Sequence, residues 1–238
     1  MSATDAVFVR AAWRRLMMAN YIVDPAILAP LVPPGTEIDL YEGNCYVSLV
    51  GFLFENMKVK GIPVPFHSRF PEVNLRFYAR RREGNEWRRG VVFIREIVSR
   101  PLIAWPANLL FREKYVVAAM QYALAETPDE CRVHYAWEKA GWNLLEATAA
   151  NRPAPATCKE TFLTHKRWGF ALKNDRQSFL YQVQHAEWQV YPVSSHTVRC
   201  RFGQAFGRRF SCLDGQEPDS VLLADGSPIT ISWKQVIG

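Results

Sequence analysis

Long hydrophobic runs are missing from this sequence. The longest strongly apolar stretch, Val47 to Phe54, falls far short of the ~20 residues that a membrane-spanning helix needs, so no such helix and no membrane partner are expected. The N-terminal residues carry Asp5, Arg10, Arg14 and Arg15 where a signal peptide would have its apolar core. Cysteine is sparse: Cys45, Cys131, Cys158, Cys200 and Cys212 are odd in number, widely spaced and form no C-x-x-C pair. That argues against a disulfide framework or a zinc knuckle and makes a reducing cytoplasm the expected location. No Walker lysine loop, G-x-G-x-x-G, H-E-x-x-H or G-x-S-x-G occurs, so nucleotide binding, zinc proteolysis and hydrolase-elbow chemistry lack a signal. Repeats, low-complexity segments and compositional breaks are absent as well. Residues 1–238 are therefore expected to form one domain, long enough to bury about 70% of its unfolded surface without staples.

Lysine is scarce too. Of 29 basic residues, eight are lysines, at positions 58, 60, 114, 139, 159, 166, 173 and 234, and 21 are arginines, against 23 acidic residues and a net charge of +6. The excess raises a nucleic-acid reading, but guanidinium groups equally favour bidentate contacts with carboxylates and stacking on aromatic rings. The densest cluster, Arg80-Arg81-Arg82 and Arg88-Arg89, flanks Glu83-Gly84-Asn85-Glu86 and reads as a hairpin with solvated arms. A nucleic-acid or protein interaction module using residues 80–89 is the alternative function. No zinc-finger, RRM or basic-zipper signature accompanies it, and nucleic acid is not the expected partner.

What is present is a succession of short apolar-rich segments separated by turns. Asp24-Pro25 predicts a short helix through Leu31, stopped by Pro33-Pro34-Gly35, after a strand over 16–23. Hairpins are expected for 37–41 with 45–55, for 73–82 with 91–98, and for 221–224 with 228–233 around Asp225-Gly226. Residues 101–113 have near-helical apolar spacing through Leu102, Trp105, Leu109 and Phe111, with Pro106 kinking the helix or delaying its start. Strands follow at 115–122, 131–137, 142–149, 167–172 and 179–185, with one helical turn at 160–163. The pattern predicts a mainly β, β-rich α+β fold: a closed, barrel-like antiparallel sheet with a few short helices.

One strand carries candidate chemistry. In Glu72-Val73-Asn74-Leu75-Arg76, the period of two places Glu72, Asn74 and Arg76 on one face and Val73, Leu75 and Phe77 on the other. A carboxylate, an amide and a guanidinium in a row suit a polar ligand held inside a barrel. The commoner meaning of such a row is a solvent-facing ladder with a cross-strand ion pair, and spacing alone favours that. The histidines, His67, His134, His165, His185 and His196, share no ligand spacing such as H-x-x-x-H, so no metal and no cofactor is expected.

Several segments together resemble a known family. They are W-x-x-L-x-x-x-N-Y-x-V-D-P over Trp13 to Pro25, Leu31-Val32-Pro33-Pro34-Gly35, Phe70-Pro71-Glu72-Val73-Asn74-Leu75-Arg76-Phe77-Tyr78, Gly90-Val91-Val92-Phe93, and Phe162-Leu163-Thr164 followed by His185-Ala186-Glu187-Trp188. The sequence resembles the bacterial domain of unknown function 2071, the YqjF-like proteins, whose fold is grouped with acetoacetate decarboxylase. The resemblance implies a cone-like barrel with an internal cavity, Glu72 near the place of a pocket carboxylate, and homo-oligomeric assembly. The decarboxylase uses a lysine whose neighbour is a second lysine. Here no two lysines are adjacent, and Lys114, after Arg112-Glu113, lies in roughly the corresponding segment as a candidate Schiff-base nucleophile. Phe162-Leu163-Thr164-His165-Lys166 departs from the family pattern of an acidic residue followed by arginine and tyrosine. The function expected is binding of a small carboxylate or carbonyl compound without the lysine-pair machinery, with enzyme activity unassigned. Arg76 would meet the ligand carboxylate, Asn74 and Glu72 would orient it, and Phe77, Tyr78, Tyr115, His185 and Trp188 would complete the walls. If chemistry occurs, Glu72 is the acid or base.

Overall fold

Strict alternation along residues 72–79 buries one side chain set on each face of a strand, and the same pattern builds most of the molecule. The computed structural model describes residues 7–64 and 69–238. In chain order the strands are β1 (Val7–Ile22), β2 (Glu37–Ile38), β3 (Tyr46–Val59), β4 (Ile62–Pro63), β5 (Arg69–Glu83), β6 (Glu86–Val98), β7 (Tyr115–Val117), β8 (Met120–Glu126), β9 (Glu130–Glu138), β10 (Trp142–Ala150), β11 (Trp168–Asn174), β12 (Gln177–His185), β13 (Val190–Tyr191), β14 (Val193–Arg199), β15 (Ser220–Ser232) and β16 (Gln235–Ile237). The α-helices are α1 (Pro101–Phe111), α2 (Cys158–Thr164) and α3 (Phe202–Ala205).

Strands β15, β1, β3, β5, β6, β11 and β12 pair in that order, and β12 pairs again with β15 through Val183–Ile231, Gln184–Thr230 and His185–Ile229. The sheet thus closes into a ring, as expected from the sequence. Its neighbours are antiparallel except at the β6–β11 seam, where Trp168 lies beside Gly90 and Gly169 beside Val91 in parallel. A separate four-stranded sheet, β14-β10-β9-β8, packs on the outside of the ring. Between the two lies a dry core of Val73, Leu75 and Phe77 from β5 with Tyr135, Trp137 and Leu145 from the second sheet. Inside the ring a second apolar cluster includes Leu16, Val50, Phe52, Phe54 and Phe70.

Several local expectations are corrected. The 24–31 segment forms two 3-10 turns, Pro25–Ile27 and Ala29–Leu31, with Asp24 Oδ1 accepting from the Ala26 amide at 2.8 Å. The 37–41 segment does not pair with the following strand: Glu37 lies opposite Arg80 on β5, and a single Tyr41–Asn44 bridge closes the turn. Residues 115–122 divide between the two sheets as β7 and β8. Helix α1 starts at Pro101, so Pro106 does not delay it. The side chains of Trp105 and Phe111, and His67 as a whole, lie outside the described residues.

The Asp225-Gly226 hairpin is replaced by one continuous strand. β15 pairs with β1 from Ser232–Val7 to Ser220–Asn20, and Gly226 (φ 86°) sits opposite Arg14. A Cβ there would collide with the Trp13 carbonyl, so glycine marks a close backbone approach rather than a turn. Arg15, one residue on in β1, also has positive φ (53°), and the β1–β3 register shifts between Arg14 and Met17. These irregularities are β-bulges that bend the long strands into the ring.

Candidate functional site

The ring encloses a cavity of about 380 Å³. From β5, the side chains of Glu72, Asn74 and Arg76 line it while Val73, Leu75 and Phe77 face the second sheet. Glu72 is 1% exposed, Asn74 1% and Arg76 5%, so the solvent-facing ladder favoured by spacing is overturned. Ring closure turns this polar face inward, and a network on neighbouring strands meets part of the cost of burying it.

That network is acidic. Asn74 Nδ2 donates to Glu72 Oε1 at 3.0 Å, and the Tyr115 hydroxyl donates to Glu72 Oε2 at 3.3 Å. Glu96, opposite Asn74 on β6, and Glu113, just after α1, bring two more carboxyls to the same wall. The Tyr181 hydroxyl donates to Glu113 Oε1 at 2.8 Å. Gly169 makes room for this tyrosine, because a Cβ there would strike the Tyr181 ring. Arg112 ends α1 in the left-handed conformation (φ 55°), and Asn108 ties the helix to β7 by accepting from the Tyr115 amide (2.7 Å) and donating to its carbonyl (2.9 Å). Together these place Glu113 and Tyr115 against the cavity.

Burial raises all three carboxyls. It pushes Glu72 to about 7 and Glu113 to about 7, and nearby carboxylates add to the effect on Glu96, which also lies well above the ordinary carboxylate range. Glu96 and Glu113 interact with each other on this wall and titrate as a pair, and Glu96 Oε2 has no hydrogen-bond partner among the described residues. Burial likewise lifts the Tyr115 and Tyr181 phenols. The wall therefore holds exchangeable protons near neutral pH.

The opposite charge lies further along β5. The Arg76 guanidinium forms no ion pair among the described residues: Nη2 donates to the Leu163 carbonyl at 3.3 Å and Nε has no partner. Beside it, Lys166 is buried and lines the cavity, with Nζ 3.0 Å from Asp39 Oδ2 and 3.7 Å from the Phe162 ring centre. Asp39 also receives Arg89 at 3.0 Å, so one carboxylate serves two cations there, while Arg76 has no carboxylate within ion-pair distance among the described residues; its guanidinium lies 6.0 Å from the Tyr78 ring centre and its charge acts on Glu72 from further off. Burial lowers the Lys166 amine to about 8, while Asp39 holds it in the charged form.

The other expected residues divide. Trp188 lines the cavity, donating Nε1 to Ser227 Oγ at 3.0 Å, and stacks on His185 at 4.6 Å. His185 also lines it, with Nδ1 2.8 Å from the Ala186 carbonyl and Nε2 3.1 Å from the Lys166 carbonyl, and burial lowers its pKa. Tyr78 is not among the described cavity-lining residues, and its hydroxyl lies 2.6 Å from Ser48 Oγ. Phe77 faces the second sheet. Lys114 is not among the described cavity-lining residues. The lysine that reaches the cavity is Lys166, inside the segment that departs from the family pattern. Glu96, Glu113 and Tyr181 were also missed in sequence; the one available signal was a charged residue, Glu96, within the valine- and isoleucine-rich run of β6.

The arginine hairpin is folded back on the protein. Arg80 contacts Glu37 (2.6 Å) and the Trp87 ring (4.2 Å), Arg81 donates to the Gly35 carbonyl, Arg88 pairs with Glu83, and Arg89 reaches Asp39. Among the described residues there is no group of histidine, cysteine and acidic side chains arranged to hold a metal, and no helix long and apolar enough to cross a membrane.

Comparison with known proteins agrees with this architecture. Over 80 residues the chain is 36% identical to the uncharacterized protein YqjF of Bacillus subtilis (strain 168), a match spanning 33% of either protein. Among solved structures, acetoacetate decarboxylase of Legionella pneumophila superposes with a TM-score of 0.67 at 14% identity, covering 100% of this chain and 90% of that one. An acetoacetate decarboxylase-like enzyme of Sphingomonas wittichii RW1 gives 0.66 at 15% identity, covering 98% and 94%. The enduracididine biosynthesis enzyme MppR, complexed with pyruvate, gives 0.62 at 12% identity, covering 99% and 91%. These likenesses establish an acetoacetate decarboxylase-like fold. Residues 10–228 match the model of DUF2071, described as "Uncharacterized conserved protein (COG2071)", and the chain belongs to that family.

Proposed function

We propose that the cavity binds a small organic carboxylate or carbonyl compound, with Arg76 receiving the anionic group. The observation that carries this reading is the buried guanidinium without a carboxylate partner. An isolated buried charge costs several kcal/mol, about what an unsatisfied ion loses on leaving water, and a bound anion recovers much of it. Asn74 Oδ1, also without a hydrogen-bond partner, orients the ligand from the same strand face. The acidic wall gives the site a proton donor at neutral pH: a carboxylic acid at Glu72 hydrogen-bonds a carbonyl oxygen and transfers a proton to it as charge develops. That MppR, a protein of the same fold, is complexed with pyruvate supports a ligand of this class.

Imine chemistry fits less well. Lys114, whose amine pKa is lowered by burial, is not among the described cavity-lining residues, and Lys166 is engaged by Asp39 at 3.0 Å. Isothermal titration with 2-oxo and 3-oxo acids tests the binding reading: wild type is expected to bind, and Arg76→Met to weaken binding at least tenfold. Equal affinity in both proteins overturns it. Borohydride added with the oxo acid is expected to leave the protein mass unchanged, and an adduct trapped on any lysine would replace proton transfer with covalent catalysis.

A further inference from the structure

The polar groups occupy only part of the cavity. Among the described residues its other part is walled by Phe8 and Val9 of β1, Met57 and Val59 of β3, Val64, and Leu102 and Ile103 of α1. Between the two lie Trp13, Phe52 and Phe54, packed edge-on or tilted against one another at 5.2–6.1 Å. The strand register gives the cavity its length. Glu72 lies opposite Phe52, and Met57 is five residues further along β3, up to about 16 Å at the usual rise per residue.

Size and chemistry both exclude a short polar occupant as the whole filling. A cavity of about 380 Å³ equals the volume of roughly a dozen water molecules. A three- or four-carbon oxo acid has about half that number of non-hydrogen atoms and would fill only the polar part. The apolar part opens toward solvent, where the lining residue Leu102 is 64% exposed, and an apolar tail displaces water from these hydrocarbon and thioether side chains favourably.

Resting on the carboxylate reading above, we infer that the natural ligand class is an amphiphile, with an oxo-acid or carboxylate head at Arg76 and the glutamates and a hydrocarbon or aryl tail running toward Met57 and Ile103. The tail supplies affinity by burying apolar surface, while the head sets orientation. Short oxo acids are then weak ligands of a site built for longer ones.

The test is a calorimetric series of straight-chain 2-oxo acids from three to ten carbons, with the matching primary alcohols as a second arm. The inference expects affinity to rise about fourfold per methylene until the cavity is filled. It also expects Met57→Trp, a change at a half-buried position, to end that rise at a shorter chain while the three-carbon acid is unaffected. Affinity independent of chain length, with Arg76→Met still abolishing binding, overturns the tail and leaves the anion site standing. A rise with length that is equal for acids and alcohols and indifferent to Arg76→Met supports the tail and overturns the anion site. Absence of binding by every member overturns the inference.

Discussion

The two faces of β5 are buried alike and could hardly differ more in chemistry. Val73, Leu75, Phe77 and Ala79 are 0% exposed against the second sheet, while Glu72, Asn74 and Arg76 are 1–5% exposed around the cavity. One face is close-packed hydrocarbon. The other carries an unpaired cation and a carboxyl whose affinity for protons is shifted by burial. Burial by itself therefore does not distinguish core from site. On β5 the distinction is chemical: the packed face carries no side-chain polar atoms, while the cavity face brings Arg76 Nε and Asn74 Oδ1 to the same wall as Glu96 Oε2, all three without a hydrogen-bond partner among the described residues.

Substitutions on the two faces should separate these roles. The largest loss of stability is expected for Leu75→Ala on the packed face, about 2–5 kcal/mol by urea denaturation, because the cavity it leaves cannot fully collapse. A loss below about 1 kcal/mol would mean that the contact between ring and second sheet is not a packed core.

Glu72→Gln on the cavity face should act in the other direction. Its carboxyl, raised from 4.5 to about 7, binds a proton more tightly in the folded than in the unfolded chain, so its contribution to stability falls as pH rises from about 4.5 to 7. The glutamine variant avoids that loss. It should match wild type near pH 4 and exceed it by up to about 3 kcal/mol at pH 8. The same gain at both pH values would assign the effect to packing instead.

Arg76→Met, similar in length and uncharged, should be neutral to stabilising by about 1–3 kcal/mol in the ligand-free protein while removing anion binding. Destabilisation by more than that would identify the guanidinium as a structural cation. The smallest effect is expected for Arg82→Ala at the hairpin tip, whose guanidinium reaches only the turn carbonyl of Gly84 and the Trp87 ring: within about 0.5 kcal/mol in thermal melts. Wild type should also show no binding to single- or double-stranded DNA at low salt, since the neighbouring arginines are engaged within the protein. Steep salt-dependent binding would restore the interaction reading for residues 80–89.

Much of the architecture was legible where the signal is local. The 73–82 and 91–98 strands, the segments in β9 to β12 and the helix after residue 100 follow from apolar alternation and turn residues within each window. Asp225-Gly226 misled because glycine at positive φ serves a bulge as readily as a turn, and only the partner strand distinguishes the two. Lys114 lies outside the described cavity lining although its neighbours Glu113 and Tyr115 both reach it. Lys166, Glu96 and Glu113 escaped notice because each sits beside other charged or basic residues, as in Arg95-Glu96, Arg112-Glu113-Lys114 and His165-Lys166-Arg167, and no local window says which of them turns inward; they meet Arg76 and Glu72 only after α1, α2 and the parallel seam bring distant segments together.

The sequence alone determined that Glu72, Asn74 and Arg76 share one face of a strand, since successive side chains of an extended backbone point to opposite sides. It also determined that an acetoacetate decarboxylase-like barrel would lack adjacent lysines. Tertiary structure decided which face is inside. That depends on β12 meeting β15 at pairs such as Val183–Ile231 and on β6 meeting β11. Such pairings are set by the summed packing of both cores, which no local window contains.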